Sequence, residues 1–311
     1  MKPDWLTGYV PDLPTPFGED GEVDFDAFAR LCERQIASGA NAIVVGEATG
    51  EAPTLTTNEK ADLVRRAVEI AHGRVRVIAG AGSNATDRAV ELTRQAEAAG
   101  ADAVLSVVPY YNKPVQAGIQ AHFRAVAEAT ALPVILHDVP SRTLRELSDT
   151  TLAQLAESEQ FIGLRDSSGD VGRLVRMRPS LPPHFRSLSG DDLTALPFMA
   201  AGGHGCISAV ANLAPELCQA VFANLRQGRL QSARYLFGRL VPIAGLFAAE
   251  HPAALKYALA LLGLIQPATR LPIVQLNDAA KAEVTRAIAE LGDEELRAFG
   301  PSEHQAASPV S

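Results

Sequence analysis

Short runs of five to seven mostly apolar residues recur along the chain, each followed by a longer stretch with apolar positions at helical spacing. The runs are GYVPDL (8–13), AIVVG (42–46), VRVIAG (75–80), DAVLSVV (102–108), PVILHD (133–138), FIGLR (161–165), FRSLSG (185–190) and GHGCIS (203–208). They are rich in Val, Ile and Leu and lack a polar face, which predicts strands covered on both sides. The stretches between them carry helix-start chemistry: Asp24 before the first, Thr56 or Thr57 before the second, and Asn84 before a third that stops at Gly100. Further helices are predicted over 116–130, 148–158, 170–178, 191–201 and 213–227, with Asp170 and Asp191 as caps.

Eight strand–helix units with no break in composition predict an α/β fold, a (β/α)8 TIM barrel over residues 1–228. A doubly wound sheet is the rival. Residues 229–295 read as a C-terminal helical region, and 296–311 as a polar, flexible tail.

Composition narrows the function classes. The chain has 311 residues and a net charge of −8 with no basic block, which argues against nucleic acid as a partner. Cys32, Cys206 and Cys218 have no metal-ligand spacing and read as buried thiols of a reducing compartment. The opening MKPDWLTGYVPDLPTPF places Pro and Asp where a signal peptide needs an apolar run. Glu250, His251 and Lys256 interrupt the apolar segment 241–265, so no membrane span is expected. A cytoplasmic protein is the expectation.

In a barrel of this kind, chemistry collects at the C-terminal ends of the strands. Those ends carry Glu47, Ala48 and Thr49 after strand 2, Tyr110 and Tyr111 after strand 4, and His137, Asp138 and Arg142 after strand 5. Arg165 and Asp166 follow on strand 6, Gly190 and Asp191 on strand 7, and Ile207 and Ser208 on strand 8. Two guanidinium groups suit a small acidic substrate, since they bind carboxylates in a bidentate fork, and His titrates near neutral pH. Plainer roles stay open. For Arg165 the alternative is a structural ion pair with Glu47 or Asp166, for His137 a satisfied buried histidine, and for the tyrosines interface packing. Glu47, His137 and Asp138 together have the chemistry to hold a divalent ion, although no metal is expected. Gly80-x-Gly82-x-x-Ala85 imitates a dinucleotide fingerprint, but the acid that should end the next strand, Asp102, begins it. No cofactor is expected.

The motifs GEATGE, PYYNKP, VPSRT, SGDD and GGHGCIS, in this order over roughly residues 6–295, resemble the dihydrodipicolinate synthase/N-acetylneuraminate lyase family. The closest likeness is to its synthase branch, whose members join pyruvate to aspartate semialdehyde. The resemblance implies a barrel with a C-terminal helical region and a homotetramer built from tight dimers, or a homodimer. It also implies that Thr49 and the backbone at Ala48 hold the pyruvate carboxylate, and that Gly190 and Ile207 line that pocket. Tyr111 would reach a neighbouring subunit's site as part of a proton relay, and Arg142 would bind the second substrate's carboxylate.

The resemblance also marks departures. The family forms a Schiff base with pyruvate on a lysine at the end of strand 6, and that place is Arg165 here. The strand-5 tyrosine is His137 and the asparagine after it Asp138; a threonine is Ala48 and a glycine before it Glu47. A Schiff base needs a neutral amine, and guanidinium stays protonated. The only lysines are Lys2, Lys60, Lys113, Lys256 and Lys281, none at a strand end. The expectation is therefore a lyase or aldolase-type enzyme acting on a small 2-oxo acid or related carboxylate without a Schiff base. Arg165 would be the electrostatic clamp and His137 the general acid/base, with Glu47. Two alternatives stand beside it: a non-catalytic keto-acid-binding member, and the synthase reaction run by a non-covalent route. A mouth sealed by an Arg165–Glu47 pair would favour the non-catalytic member. His137 and Glu47 pointing into it together would favour the enzyme.

Overall fold

The computed structural model describes residues 3–249 and 251–292. Eight parallel strands run β1 Gly8–Pro11, β2 Ala42–Val45, β3 Arg76–Gly80, β4 Ala103–Val107, β5 Val134–Asp138, β6 Phe161–Asp166, β7 Arg186–Ser189 and β8 Gly205–Ser208. Their order around the sheet is β1-β8-β7-β6-β5-β4-β3-β2. The seam between β1 and β2 closes at the top, where Asp12 bridges Val44 and the Leu13 N–H donates to the Val44 carbonyl at 2.9 Å. The arrangement is a TIM barrel, as the alternation of elements predicts, and not a doubly wound sheet.

The period of two along each strand divides the core. Val10, Val44, Ile78, Leu105, Ile135, Leu188 and Ile207 fill the barrel interior. Ile43, Val45, Val77, Val104, Leu136 and Leu164 belong to the layer between sheet and helices. One inward step above Val10, Ile135 and Leu188 come Asp12, His137 and Gly190, and Arg165 sits opposite His137 in the β5–β6 register. The inner face therefore changes from apolar to charged within one residue pair.

The barrel helices are α1 Phe25–Ala37, α2 Thr57–Ala71, α3 Thr86–Ala98, α4 Gln116–Glu128, the short turn α5 Pro140–Thr143, α6 Asp149–Ala156, α7 Val171–Met177, α8 Ala195–Ala200 and α9 Pro215–Arg226. Asp24, Thr56 and Asp170 cap α1, α2 and α7 as expected, Thr56 within a reciprocal capping box with Glu59. Two caps differ. Helix α3 starts one residue later, behind Ala85, and the Asn84 carbonyl instead accepts from the Asn112 side chain at 2.8 Å. Asp191 closes a turn onto the Leu193 N–H at 3.0 Å, while Thr194 precedes α8.

Helices α10 Leu230–Ala249, α11 Ala253–Leu261 and α12 Asp278–Leu291 pack with α9 in a second apolar cluster. The predicted tail, 296–311, lies outside the described residues. Among the described residues no helix is long and apolar enough to cross a membrane. The C-terminal region is tied to the loop after β2 by charge. Lys256 is fully buried, pairs with Glu51, donates to the Ala268 carbonyl at 2.8 Å and lies 4.0 Å over the Phe17 ring. The Arg270 N–H donates to Glu51 at 3.0 Å, and its side chain bonds Glu59 while stacking on Phe17 at 4.4 Å. Burial pulls the Lys256 pKa down to about 8, with Glu51 opposing the fall.

Breaking a buried pair by removing one partner leaves an uncompensated charge, typically a loss of about 3–5 kcal/mol. Lys256→Met should lose about that much in urea denaturation at pH 7, by stranding Glu51. A midpoint unchanged from the parent protein would show that the pair does not hold the two regions together.

Candidate functional site

Each side chain of the site is placed by strand period. Arg165 points inward from β6, and its Nη1 donates to Asp12 Oδ2 at 2.9 Å and to Glu47 Oε2 at 3.1 Å. All three groups are buried. Glu47 follows Gly46, whose φ of +68° turns the chain off β2 into the barrel mouth. Its Oε1 accepts from His137 Nδ1 at 3.0 Å, and its Oε2 also accepts the Ala48 N–H. On the far side of the ring, His137 Nε2 lies 3.3 Å from Ser167 Oγ. The chain of contacts reads Asp12–Arg165–Glu47–His137–Ser167.

These contacts set the charges. Burial works to raise the Glu47 carboxyl, but His137, Arg165 and the Ala48 N–H outweigh it and hold Glu47 well below the usual carboxylate range. Burial pushes Asp12 up to about 6 even though Arg165 pulls it down. Burial lowers His137 and the cations Arg165 and Arg142 lower it further, against the pull of Glu47. Near neutral pH the ring is therefore uncharged. Its Nδ1 hydrogen points to Glu47, and its Nε2 lone pair is directed toward Ser167. Burial would lower Arg165, but Asp12 and Glu47 keep it protonated.

Two cavities open at this mouth. One, of about 370 Å³, is bordered by Arg165, Ser167, Gly190 and Asp192 and walled by Phe247 of α10. The other, of about 360 Å³, is bordered by Glu47, Lys60, Tyr110 and Pro272. Ala48, His137, Val139, Arg142 and His251 line both. Arg142 is an exposed guanidinium at the rim with no side-chain partner among the described residues. Burial, with Arg142 and Arg165 adding to it, pushes His251 down to about 3.

The structure thus brings together Arg165, His137, Glu47, Ala48, Arg142 and Gly190. It does not bring Thr49, which is buried beside Asp12 and lines neither cavity, or Ile207, which lies below in the barrel core. Tyr111 is 87% exposed and lines neither cavity of its own chain. Asp138 does not join Glu47 and His137 as a possible ion site. One residue beyond His137, it points outward, accepting from Arg173 at 2.7 Å and from the Leu147 N–H at 3.0 Å. Asp166 faces the same Arg173 rather than Arg165. Three residues of the site are not expected there from the sequence: Asp12, Ser167 and His251. An acid inside the otherwise apolar run GYVPDL was the available signal for Asp12.

A model of the dihydrodipicolinate synthetase family matches residues 6–291. The chain belongs to that family. It is 48% identical over 288 residues to the 4-hydroxy-tetrahydrodipicolinate synthase of Hyphomonas neptunium, covering 92% of this chain and 98% of that protein. It is 45% identical to the synthase of Thiobacillus denitrificans over 281 residues, 90% of this chain and 95% of that one. Among solved structures, the chloride-inhibited dihydrodipicolinate synthase of Acinetobacter baumannii complexed with pyruvate has a TM-score of 0.90 and 38% identity, covering 92% of this chain and 99% of that one. The synthase of Aquifex aeolicus has a TM-score of 0.89 and 36% identity, with 92% and 98% covered. By family the chain is of the lyase class.

The electrostatics of this family member's mouth are testable through Asp12. A carboxyl raised on folding stabilises the protonated form, so its contribution is complete below the ordinary value of 3.8 and lost as pH rises through about 6. Asp12→Asn should remove this term. Relative to the parent, its unfolding free energy should fall less between pH 4 and pH 6, by on the order of 2 kcal/mol. Urea titrations across that window read the difference, and identical pH slopes in the two proteins would contradict the assignment.

Proposed function

We propose that this chain is a lyase acting on a small 2-oxo acid or related carboxylate without a Schiff base. The observation that carries the reading is the continuous Arg165–Glu47–His137 contact at the mouth, beside an open cavity. His137, neutral and with Nδ1 fixed by Glu47, presents the Nε2 lone pair beside Ser167 at the cavity, where it can take and return a proton α to a carbonyl. Arg165 supplies a fixed positive charge where an enolate oxygen develops. Its Nη1 is occupied by the two carboxylates, but its buried Nε–H makes no hydrogen bond. Arg142 at the rim is suited to a second carboxylate.

Among the described residues no lysine lines the first cavity. Lys256 is committed to Glu51, Lys113 is exposed in the loop after β4, and Lys60 borders only the second cavity. The pairing of Arg165 with two acids favours a second reading, a non-catalytic keto-acid binder, since a guanidinium neutralised in place has less charge to offer. Against it, the mouth is open rather than sealed. The names of the relatives support the synthase reaction, and with Arg165 in place of an amine the third reading is that reaction run by a non-covalent route.

The experiment is trapping. The protein is incubated with pyruvate and borohydride, and the intact mass is measured. The expected result is no adduct, because imine formation requires an unprotonated amine about 3 Å from the carbonyl carbon. Arg165→Lys should gain a stoichiometric adduct. An adduct on the parent protein, mapped to Lys60 or any other lysine, would restore Schiff-base chemistry and overturn the reading.

A further inference from the structure

Ser167 has no part in the lyase reading, yet it ends the contact chain at the cavity wall. We propose that Ser167 is an activated nucleophile, with His137 as its base and Glu47 as the acid that orients the base, and that the chain hydrolyses small anionic esters or lactones through an acyl-serine intermediate.

The geometry points there in three ways. First, the linear order is that of a nucleophile, base and orienting carboxylate. Glu47 Oε1 accepts from His137 Nδ1 at 3.0 Å, and His137 Nε2 stands 3.3 Å from Ser167 Oγ. A nucleophile–base contact of this length is within the range that tightens when substrate binds. His137 is the only side-chain hydrogen-bond partner of the Ser167 hydroxyl among the described residues. Second, the serine is held while its hydroxyl stays open. Its backbone N–H donates to the Asp138 carbonyl at 2.8 Å, and the side chain borders the cavity of about 370 Å³.

Third, an unused donor stands close by. A Cβ on Gly190 would fall 2.0 Å from Ser167 Oγ, 2.9 Å from Arg165 Cγ and 3.1 Å from Arg165 Nε. Only glycine leaves room for the hydroxyl and the guanidinium to border the same small space. Arg165 Nε is a buried donor with no partner. A carbonyl carbon within reach of Ser167 would have its oxygen near that N–H, which is the placement an oxyanion requires. Arg142 at the rim selects for a remote carboxylate on the ester.

The chemistry balances without a co-reactant other than water. The Oγ–carbon bond forms as His137 Nε2 takes the hydroxyl proton, and the carbonyl oxygen becomes an oxyanion beside Arg165 Nε. The carbon–oxygen bond to the alcohol then breaks, and the alcohol leaves with the proton from His137. Water attacks the acyl-serine, gives a proton to His137, and the acid departs as that proton returns to Ser167.

The inference shares His137 and Glu47 with the proposed lyase but not its keto-acid chemistry, so the pyruvate trapping experiment and the test below succeed or fail separately. The full chain is treated with a fluorophosphonate, and the adduct is mapped by mass spectrometry. The expected result is one phosphonyl group on Ser167, absent in Ser167→Ala and formed at least 100-fold more slowly in His137→Gln. No adduct, or an adduct elsewhere, would overturn the proposal. A second arm guards against misfolding of the histidine variant: Ser167→Cys, alone and combined with His137→Gln, is alkylated by iodoacetamide. The single variant should react at least 10-fold faster, and equal rates would overturn the role of His137. Hydrolysis of mono(4-nitrophenyl) succinate by the parent should exceed that by Ser167→Ala at least 100-fold. Equal hydrolysis would overturn the activity.

Discussion

The guanidinium of Arg165 lies between the carboxylates of Asp12 and Glu47 on the inner face of the barrel, with water largely excluded. A lone buried cation would cost several kcal/mol of desolvation, and so would either lone carboxylate. The three groups are tolerated only together. That condition fixes much else: Asp12 must sit where β1 bridges β2, Glu47 must turn in from the loop after β2, and Arg165 must face inward from β6. The same condition leaves Glu47 with a second oxygen for His137, which sets the tautomer of the ring and turns the Nε2 lone pair toward Ser167.

The loop that carries Glu47 is secured at its other end by Glu51, which sits in a left-handed conformation at φ +54°. Lys256 and the Arg270 N–H meet on that carboxylate, with both cations stacked on Phe17. Helices α10 and α11 therefore do more than cover the barrel. Phe247 of α10 and His251 in the turn between the two helices line the cavity wall, and Lys256 of α11 holds the loop from which Glu47 reaches the mouth. Two buried charge clusters four residues apart in sequence join the barrel and the C-terminal region through one short segment.

The barrel was legible because parallel strands covered on both faces show as continuous apolar runs, and the helices between them as amphipathic stretches. Inward and outward positions followed from the period of two. That alternation alone separates His137 from Asp138, although both had been grouped at the mouth. The partners of Arg165 were only half legible. Glu47 was an anticipated partner, whereas Asp12, 153 residues away, becomes a neighbour only when the barrel closes. Ser167 carried no periodic signal, because it lies in a polar turn where hydroxyls are common. Its place emerges from the His137 ring and from the missing Cβ of Gly190. Asp191 shows the limit of capping chemistry: a side chain of the right type near a helix start also serves the neighbouring turn.

The central claim is that Arg165 is compensated by two buried carboxylates, and its most direct test is a mutant cycle in stability. Arg165→Met alone should lose about 3–5 kcal/mol in urea unfolding at pH 7, since it leaves Asp12 and Glu47 facing each other without a cation. The same substitution combined with Asp12→Asn and Glu47→Gln should recover at least half of that loss, because the three groups act as one unit. Losses that simply add across the three positions would contradict the account.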